Sequence, residues 1–581
     1  MAPAVTDRRM PPSPGLERPE PATPDTGAAD GSMPAGTLIG TSIAKAPDDA
    51  APPGWLHGLA QRLPRPGRRT ATLAVVAAIA VGCFLRFFTG SHLWLDEALT
   101  VEIARRPLGG LFAALRHDGA PPLYYLLLHL WIKLFGDGDV AVRALSGIIS
   151  VATLPLAWFA GRRVANVAVQ FGSVRTSDRR TGLAALLLFA TSPYAIRYGS
   201  EARMYSLVVL LVLAFGLAIV RALEHPGRRT WAPVTLLTAA MAYTHYWTFL
   251  LLATVAVCLL VQARRRTSYR HPARSALGAM LAAGVLFLPW LPTFAFQMLH
   301  TGTPWAPKVH AQILLDTVFD WAGPTSSGAL LGLVLLFAAL IGFSARSSDH
   351  PDDKHLHVDL TGRAPGRHLA ALWLVPLVLA YLVYVSGGSA YAERYTGISL
   401  PAFLLLAALG IGLLGRRKLT VGLLAVAVVS GLIGGSTLAR EERSQAGQIA
   451  AKIAAQARPG DVVAYCPDQL GPAVHRALVR QHLTGVKEIA LADPSGPALV
   501  DWVDYAARMQ RANSADFARA VDRLAGPYGA IYFVRADGYR LLEDTCAATS
   551  DQLATVRERT FQLAREPLLE GATLERFSTV R

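Results

Sequence analysis

The chain has 581 residues, of which 52% are hydrophobic and only 17% charged, with a mean hydropathy of +0.34. That balance excludes an ordinary soluble protein and points to a chain that crosses a membrane many times. A net charge of +15 would suggest a nucleic-acid partner in a soluble protein. Here the basic residues gather in short loops between apolar runs, which is the mark of membrane topology, so no nucleic-acid partner is expected.

Residues 1–66 are rich in Pro, Ala, Gly and Asp and carry no hydrophobic periodicity. They read as a disordered cytoplasmic tail. The first apolar run, Ala71 to Phe88, follows too long a tail for a cleaved signal peptide and stays as a membrane helix. Arg62, Arg65, Arg68 and Arg69 precede it, which holds the tail in the cytoplasm and places His92-Leu93-Trp94-Leu95-Asp96-Glu97 on the far side. Arg86, near the end of this run, is expected to snorkel to the interface.

The stretch 91–138 is more than a loop. It holds Ile103 to Leu115 and the aromatic-rich run Pro121 to Trp131. As a span, the second piece would put the arginines of 162–180 outside and reverse most later loops. As a helix lying along the interface, it lets every later loop alternate correctly. The spans are then Ala71–Phe88, Val140–Ala160, Gly182–Tyr198, Met204–Ala222, Trp231–Tyr243, Trp247–Gln262, Leu277–Phe294, Ala329–Phe343, Leu369–Val385, Tyr395–Leu414 and Thr420–Leu438. That is about 11 spans in a transmembrane domain over 67–439, ending outside.

Residues 440–581 form an extracytoplasmic domain. Strand-like Asp461–Tyr465 and Ala530–Val534 alternate with helical stretches, which suggests a small α/β layer structure. It contains no Gly-rich phosphate loop. Cys83 and Cys258 sit in apolar runs as packing residues; Cys466 and Cys546 lie in the outer domain, where a disulfide between them stays open. No metal-type Cys/His spacing occurs. The fold class is therefore mainly α: a polytopic membrane helix bundle with a small C-terminal external α/β domain.

With the topology set, the unusual polar residues beside spans fall almost all on the external side. They are Asp96-Glu97, His117-Asp118, Arg197, Glu201 with Arg203, His245 and Glu393-Arg394. Ionisable residues at a membrane are costly and mark function. One-sided clustering argues for a surface active site over a transport path, which needs charge at mid-depth. A carboxylate serves as general base toward an acceptor hydroxyl, and arginine holds a leaving phosphate by charge-assisted bonds.

Read together, Leu93-Trp94-Leu95-Asp96-Glu97, Asp118-Gly119-Ala120-Pro121-Pro122-Leu123-Tyr124-Tyr125-Leu126, Ser200-Glu201-Ala202-Arg203-Met204-Tyr205-Ser206-Leu207 and Glu393-Arg394-Tyr395-Thr396 leading to Pro401 form an ordered set. The chain resembles the GT-C superfamily of integral-membrane glycosyltransferases over about 70–440. The resemblance is to the family 39/83-like branch of protein mannosyltransferases and aminoarabinose transferases. It implies an Asp in the first external loop as catalytic base, here Asp96. It also implies a polyprenyl-phosphate sugar donor, inversion at the anomeric carbon, and surface helices in the first external loop. Some members need a divalent metal and others do not; Asp96 and Glu201 would be the oxygen ligands of such a Mg or Mn ion.

Each candidate has a plainer role beside the functional one. Asp96 is expected as base, or as a helix N-cap. Glu97 is expected at the substrate site, supporting the groups that touch substrate or holding a metal, or as a first-turn acid. His117 and Asp118 contact substrate, or form a turn before Pro121. Tyr124 and Tyr125 line the site, or anchor at the interface. Glu201 and Arg203 serve substrate, or pair at a helix start. His245 and Tyr395 join the site, or belong to an aromatic belt. Arg394 clamps phosphate, or pairs with Glu393. Trp305 and Lys308 would touch the acceptor, or lie in a solvated loop. The expected partners are the lipid-linked donor, a glycan, lipid or protein acceptor, and membrane lipids, at the plasma membrane. A transporter or flippase of lipid-linked sugars is the alternative.

Overall fold

The computed structural model describes residues 67–170, 176–303, 309–346, 357–358, 364–387, 390–414, 416–493, 496–537, 541–542, 544–564 and 569–579. The expected tail, 1–66, lies outside them, as do Trp305 and Lys308. Each of the eleven apolar runs is helical. Helix α1 is Arg68–Leu85. Three short helices follow, α2 (Leu95–Arg105), α3 (Leu108–Asp118) and α4 (Leu123–Phe135). Then come α5 (Asp139–Gln170), α6 (Asp178–Thr191), α7 (Pro193–Gly199), α8 (Tyr205–Glu224), α9 (Arg228–Ala242), α10 (Thr248–Arg264) and α11 (Arg270–Phe287). After a 3-10 turn at Leu288–Trp290, α12 (Leu291–His300), α13 (Ile313–Ala322), α14 (Ser326–Ser344), α15 (Gly366–Val385), α16 (Leu400–Leu413) and α17 (Arg417–Arg440) complete the bundle. Among the described residues, six helices are long and apolar enough to cross a membrane, counting α11 and α12 as one, and the shorter α1, α4, α10 and α16 are also apolar.

At 13 residues, α4 is about 20 Å long, short of the ~30 Å hydrocarbon core. Its faces differ: Tyr124, Tyr125, Leu128 and His129 are buried, whereas Leu130 and Leu134 are exposed. This is the pattern of a helix lying flat with one side against the bundle.

The expected Gly182–Tyr198 span is two helices broken at Ser192-Pro193. Pro193 has no N–H, so the Phe189 carbonyl loses its helical partner. Arg86 supplies the donors. Its guanidinium bonds Phe189 O at 2.6 Å, Ala190 O at 2.7 Å, Gly82 O at 2.6 Å and Ser150 Oγ at 2.8 Å, and it is fully buried. The expectation that Arg86 snorkels is thus corrected: it is a structural bolt between α1, α5 and the α6–α7 break.

Helix α16 is the centre of the bundle, buried from Leu400 through Gly412. It packs closely on α14 because small residues meet at the crossing: a Cβ on Gly410 would collide with Ala338 O, and one on Gly342 with Leu406 O.

After α17 the chain forms a five-stranded sheet of β1 (Val462–Cys466), β2 (Lys487–Ala490), β3 (Ile531–Ala536), β4 (Glu558–Leu563) and β5 (Ala572–Ser578), in the order β2-β1-β3-β5-β4. β1 runs parallel to β2 and β3; β5 is antiparallel to β3 and β4. Cys466 and Cys546 are joined in a disulfide across 80 residues. The sheet unit docks on α2 and the neighbouring turns. Arg476 reaches Glu102 (3.7 Å) and Asp139 (3.1 Å), and Arg443 bonds Ser200 O at 2.9 Å.

Gly410→Val is expected to force α14 and α16 apart and cost about 1–3 kcal/mol, typical of overpacking. Thermal melting in detergent reads this as a lowered midpoint, and an unchanged midpoint would contradict the close crossing.

Candidate active site

The site lies where five chain connections meet. The first is the start of α2. Its N-cap is Trp94, whose side chain makes no capping bond, and Asp96 is the second helical residue. Asp96 therefore has no capping duty. Its carbonyl takes the Thr100 hydroxyl at 2.6 Å, and its carboxylate keeps 15% of its surface exposed.

Two guanidinium groups face that carboxylate. Arg203 Nη2 is 3.7 Å and Arg394 Nε 3.8 Å from Asp96 Oδ2. Both distances exceed a hydrogen bond. Arg203 is aimed by a 2.7 Å bond from Nη1 to Thr100 Oγ1 and a longer one, 3.4 Å, to Tyr125 OH. Tyr125 donates to Asp118 Oδ2 at 2.8 Å. Asp118 ends α3, and Gly119 follows at φ 84°, the left-handed stop that favours glycine. A Cβ there would also press on Thr301 Oγ1 at 2.8 Å.

Arg394 comes from the 3-10 turn Glu393–Ile398 and lies over the rings of Tyr395 (5.3 Å) and Trp94 (5.7 Å). Tyr395 packs on His245 (4.9 Å between ring centres) and Tyr205 (6.3 Å). His245 sits in the α9–α10 connection. Its Nδ1 accepts the Trp247 N–H at 3.2 Å, which leaves the ring proton on Nε2. Burial, reinforced by Arg203 and Arg394, pulls its pKa down to about 3, so the ring is a neutral wall.

Glu201 lies in the turn before α8, fully buried, with both oxygens lacking a hydrogen-bond partner; Arg197 stands 3.8 Å away. Burial pushes its pKa up to about 7 against the pull of Arg197.

Three expected substrate residues face elsewhere. Glu97 is fully buried: Arg143 Nε bonds its Oε1 at 2.7 Å and Arg143 Nη2 its Oε2 at 2.5 Å, while Ala202 N–H adds 2.8 Å. It is a structural clamp. His117 is half exposed and its Nδ1 pairs with Asp501 of the sheet unit at 2.9 Å. It anchors that unit. Tyr124 is buried with its hydroxyl 2.7 Å from Ser146 Oγ, one helical step around from Tyr125, which does reach the site. Thr100 and Arg143 had no signal beyond Thr100 falling one turn after Asp96. Tyr205 was visible only as part of a motif.

A divalent ion bound by Asp96 and Glu201 fits this environment poorly. Two guanidiniums already press on Asp96, and Arg197 on Glu201, so the positive charge is supplied by arginine. Among the described residues, no group of three or more His, Cys, Asp or Glu is placed to hold a metal. The arrangement instead suits an anion held between Arg203 and Arg394 with a carboxylate beside it.

Below the site, an apolar cavity of about 310 Å³ is lined by residues including Val212, Phe215, Leu251, Leu369, Pro401 and Leu405. Its lining also includes Ile398, in the same turn as Arg394, and the paired Arg163 and Glu224.

Comparison with known proteins agrees with this architecture. The crystal structure of ArnT from Cupriavidus metallidurans bound to undecaprenyl phosphate aligns at TM-score 0.53 with 12% identity, covering 88% of this chain and 98% of that one. Its apo form aligns at TM-score 0.54 with 13% identity, covering 87% and 97%. The chain has the GT-C fold. Residues 119–292, under a third of the chain, match the family model described as dolichyl-phosphate-mannose-protein mannosyltransferase. No curated protein matches the sequence significantly.

The raised Glu201 pKa has a stability consequence with a definite sign. The folded state holds this proton more tightly than the unfolded chain, so the contribution is full below the ordinary glutamate range, about 4.3. It is lost as pH rises through about 7. The melting temperature of the wild type should therefore fall more steeply between pH 5 and 7 than that of Glu201→Gln. Parallel curves for the two proteins would refute the assignment.

Proposed function

We propose that this protein is an inverting glycosyltransferase. It moves a sugar, mannose or a pentose such as arabinose, from a polyprenyl-phosphate donor to an extracytoplasmic cell-envelope acceptor. The carrying observation is the carboxylate of Asp96 set between Arg203 and Arg394; an apolar cavity lined in part by Ile398, in the turn that carries Arg394, supports a lipid-linked donor.

In this reading the polyprenyl chain lies in the cavity and the phosphate sits between the two arginines. Asp96 takes the proton from the acceptor hydroxyl as its oxygen attacks the anomeric carbon. The new C–O bond forms on the face opposite the phosphate as the old C–O bond breaks, which inverts the centre. Polyprenyl phosphate leaves with its added negative charge held by Arg203 and Arg394. Asp118 and Tyr125 orient Arg203, and the rings of His245, Tyr205 and Tyr395 wall the sugar. No step runs through a metal. The structural relative described as bound to undecaprenyl phosphate supports the donor class.

The proposed placement is a multi-pass plasma-membrane protein with a cytoplasmic N-terminus and the sheet unit, 440–581, outside. The Cys466–Cys546 disulfide supports this, since such bonds persist in oxidising compartments.

Wild type and variants are tested with radiolabelled polyprenyl-phosphate mannose and arabinose in membrane extracts that supply acceptors. Asp96→Asn should lower transfer about 10²–10⁴-fold, the usual contribution of a general base. Arg394→Met should lower both donor affinity and turnover. Undiminished transfer by Asp96→Asn would overturn the base assignment. Passage of the intact lipid-linked sugar across a bilayer without transfer would favour a flippase.

A further inference from the structure

Buried polar atoms in native proteins nearly always find partners. In this molecule several of the exceptions gather at one place. Glu201 Oε1 and Oε2, Arg197 Nη1, Arg203 Nε, Tyr205 OH and Trp94 Nε1 are all buried without a hydrogen-bond partner. They are neighbours. Arg197 is 3.8 Å from Glu201, Arg203 lies over the Tyr205 ring at 5.8 Å, and Arg394 joins Trp94 to Asp96. Leaving so many polar groups unsatisfied is costly unless a ligand rich in donors and acceptors completes them.

The two ends of this cluster differ in chemistry. Around Asp96 the groups suit a phosphate. Around Glu201 they do not: a buried carboxylate with two accepting oxygens stands beside a guanidinium with a spare N–H. A hydroxyl is the group that serves both, donating its proton to Glu201 while accepting from Arg197. Two adjacent hydroxyls would use both carboxylate oxygens. The neighbouring Tyr198 and Tyr205 rings pack edge to face, 5.0 Å between centres, and form an apolar wall beside the pair. A carboxylated sugar fits badly, because it would add a further acid where Glu201, Asp96 and Glu393 already lie close together.

We propose that the Arg197–Glu201 pair reads adjacent hydroxyls of a neutral donor sugar and sets which sugar is accepted. This rests on the donor reading above and deepens it: Asp96 and the two flanking arginines handle the reacting bond, and Arg197–Glu201 handles sugar identity.

The test measures binding to the full-length protein in nanodiscs. The probes are undecaprenyl phosphate, undecaprenyl phosphomannose, undecaprenyl phosphoarabinose and undecaprenyl phosphoglucuronate. Wild type should bind at least one neutral-sugar lipid about 10- to 100-fold tighter than the bare lipid phosphate, as expected for hydrogen bonds to charged groups. Glu201→Gln and Arg197→Met should each shrink that gap to within about threefold, leaving bare-lipid affinity unchanged; that unchanged affinity also reports an intact fold. Three results would overturn the proposal: no gap in the wild type, equal weakening of bare lipid and sugar lipid in both variants, or tightest binding of the glucuronate. Failure of the transferase reading looks different. There, the wild type shows the gap and the variants close it, yet no sugar is transferred.

Discussion

The buried ion pair between Glu97 and Arg143 is the contact on which the site depends. Arg143 stands at the start of a 32-residue helix, the longest rigid element in the bundle. It grips both oxygens of Glu97 and also bonds the carbonyls of Ser91 at 2.6 Å and His92 at 3.1 Å. Glu97 in turn holds the Ala202 N–H. One pair thus fixes the loop that presents Asp96 and the turn that presents Glu201 and Arg203. Such a pair gains its strength from complete hydrogen bonding, and loss of either partner leaves a buried charge alone, typically at 3–5 kcal/mol. Adjacent acids in the sequence have opposite duties: Asp96 faces the cavity, and Glu97 holds the frame that aims it.

The sheet unit adds a second constraint from above. Its segment around 501–504 is bonded to the ends of two bundle helices. Trp502 N–H reaches His117 O at 3.1 Å, and Asp504 N–H reaches His300 O at 2.8 Å. His117 precedes Asp118, so the docking contact borders directly on the group that orients Tyr125 and Arg203. A domain without motif chemistry of its own still helps to hold the chemistry of the bundle in place.

How much of this was legible in the sequence follows from the physics of each signal. The eleven apolar runs were readable because a bilayer demands long apolar segments, and each of them is helical. Asp96, Arg203 and Arg394 stood out because charge beside a membrane helix is expensive. The errors came where tertiary direction decides. Tyr124 and Tyr125 differ by one residue, about 100° around a helix, and only one reaches the site. Glu97 and His117 are polar neighbours of the site whose side chains turn away to Arg143 and Asp501. Arg86 looked like a snorkelling residue because nothing local shows that the Ser192-Pro193 break, a hundred residues on, leaves carbonyls for it to satisfy.

The account stands on a lipid phosphate held between Arg203 and Arg394 beside Asp96. An experimental structure of the protein with bound polyprenyl phosphate measures this directly. The account predicts the phosphate oxygens within hydrogen-bond reach of both guanidiniums, about 2.7–3.0 Å, with the isoprenoid chain in the cavity below Ile398. A phosphate bound elsewhere on the bundle, with Arg203 and Arg394 still turned to Asp96 alone, would contradict it.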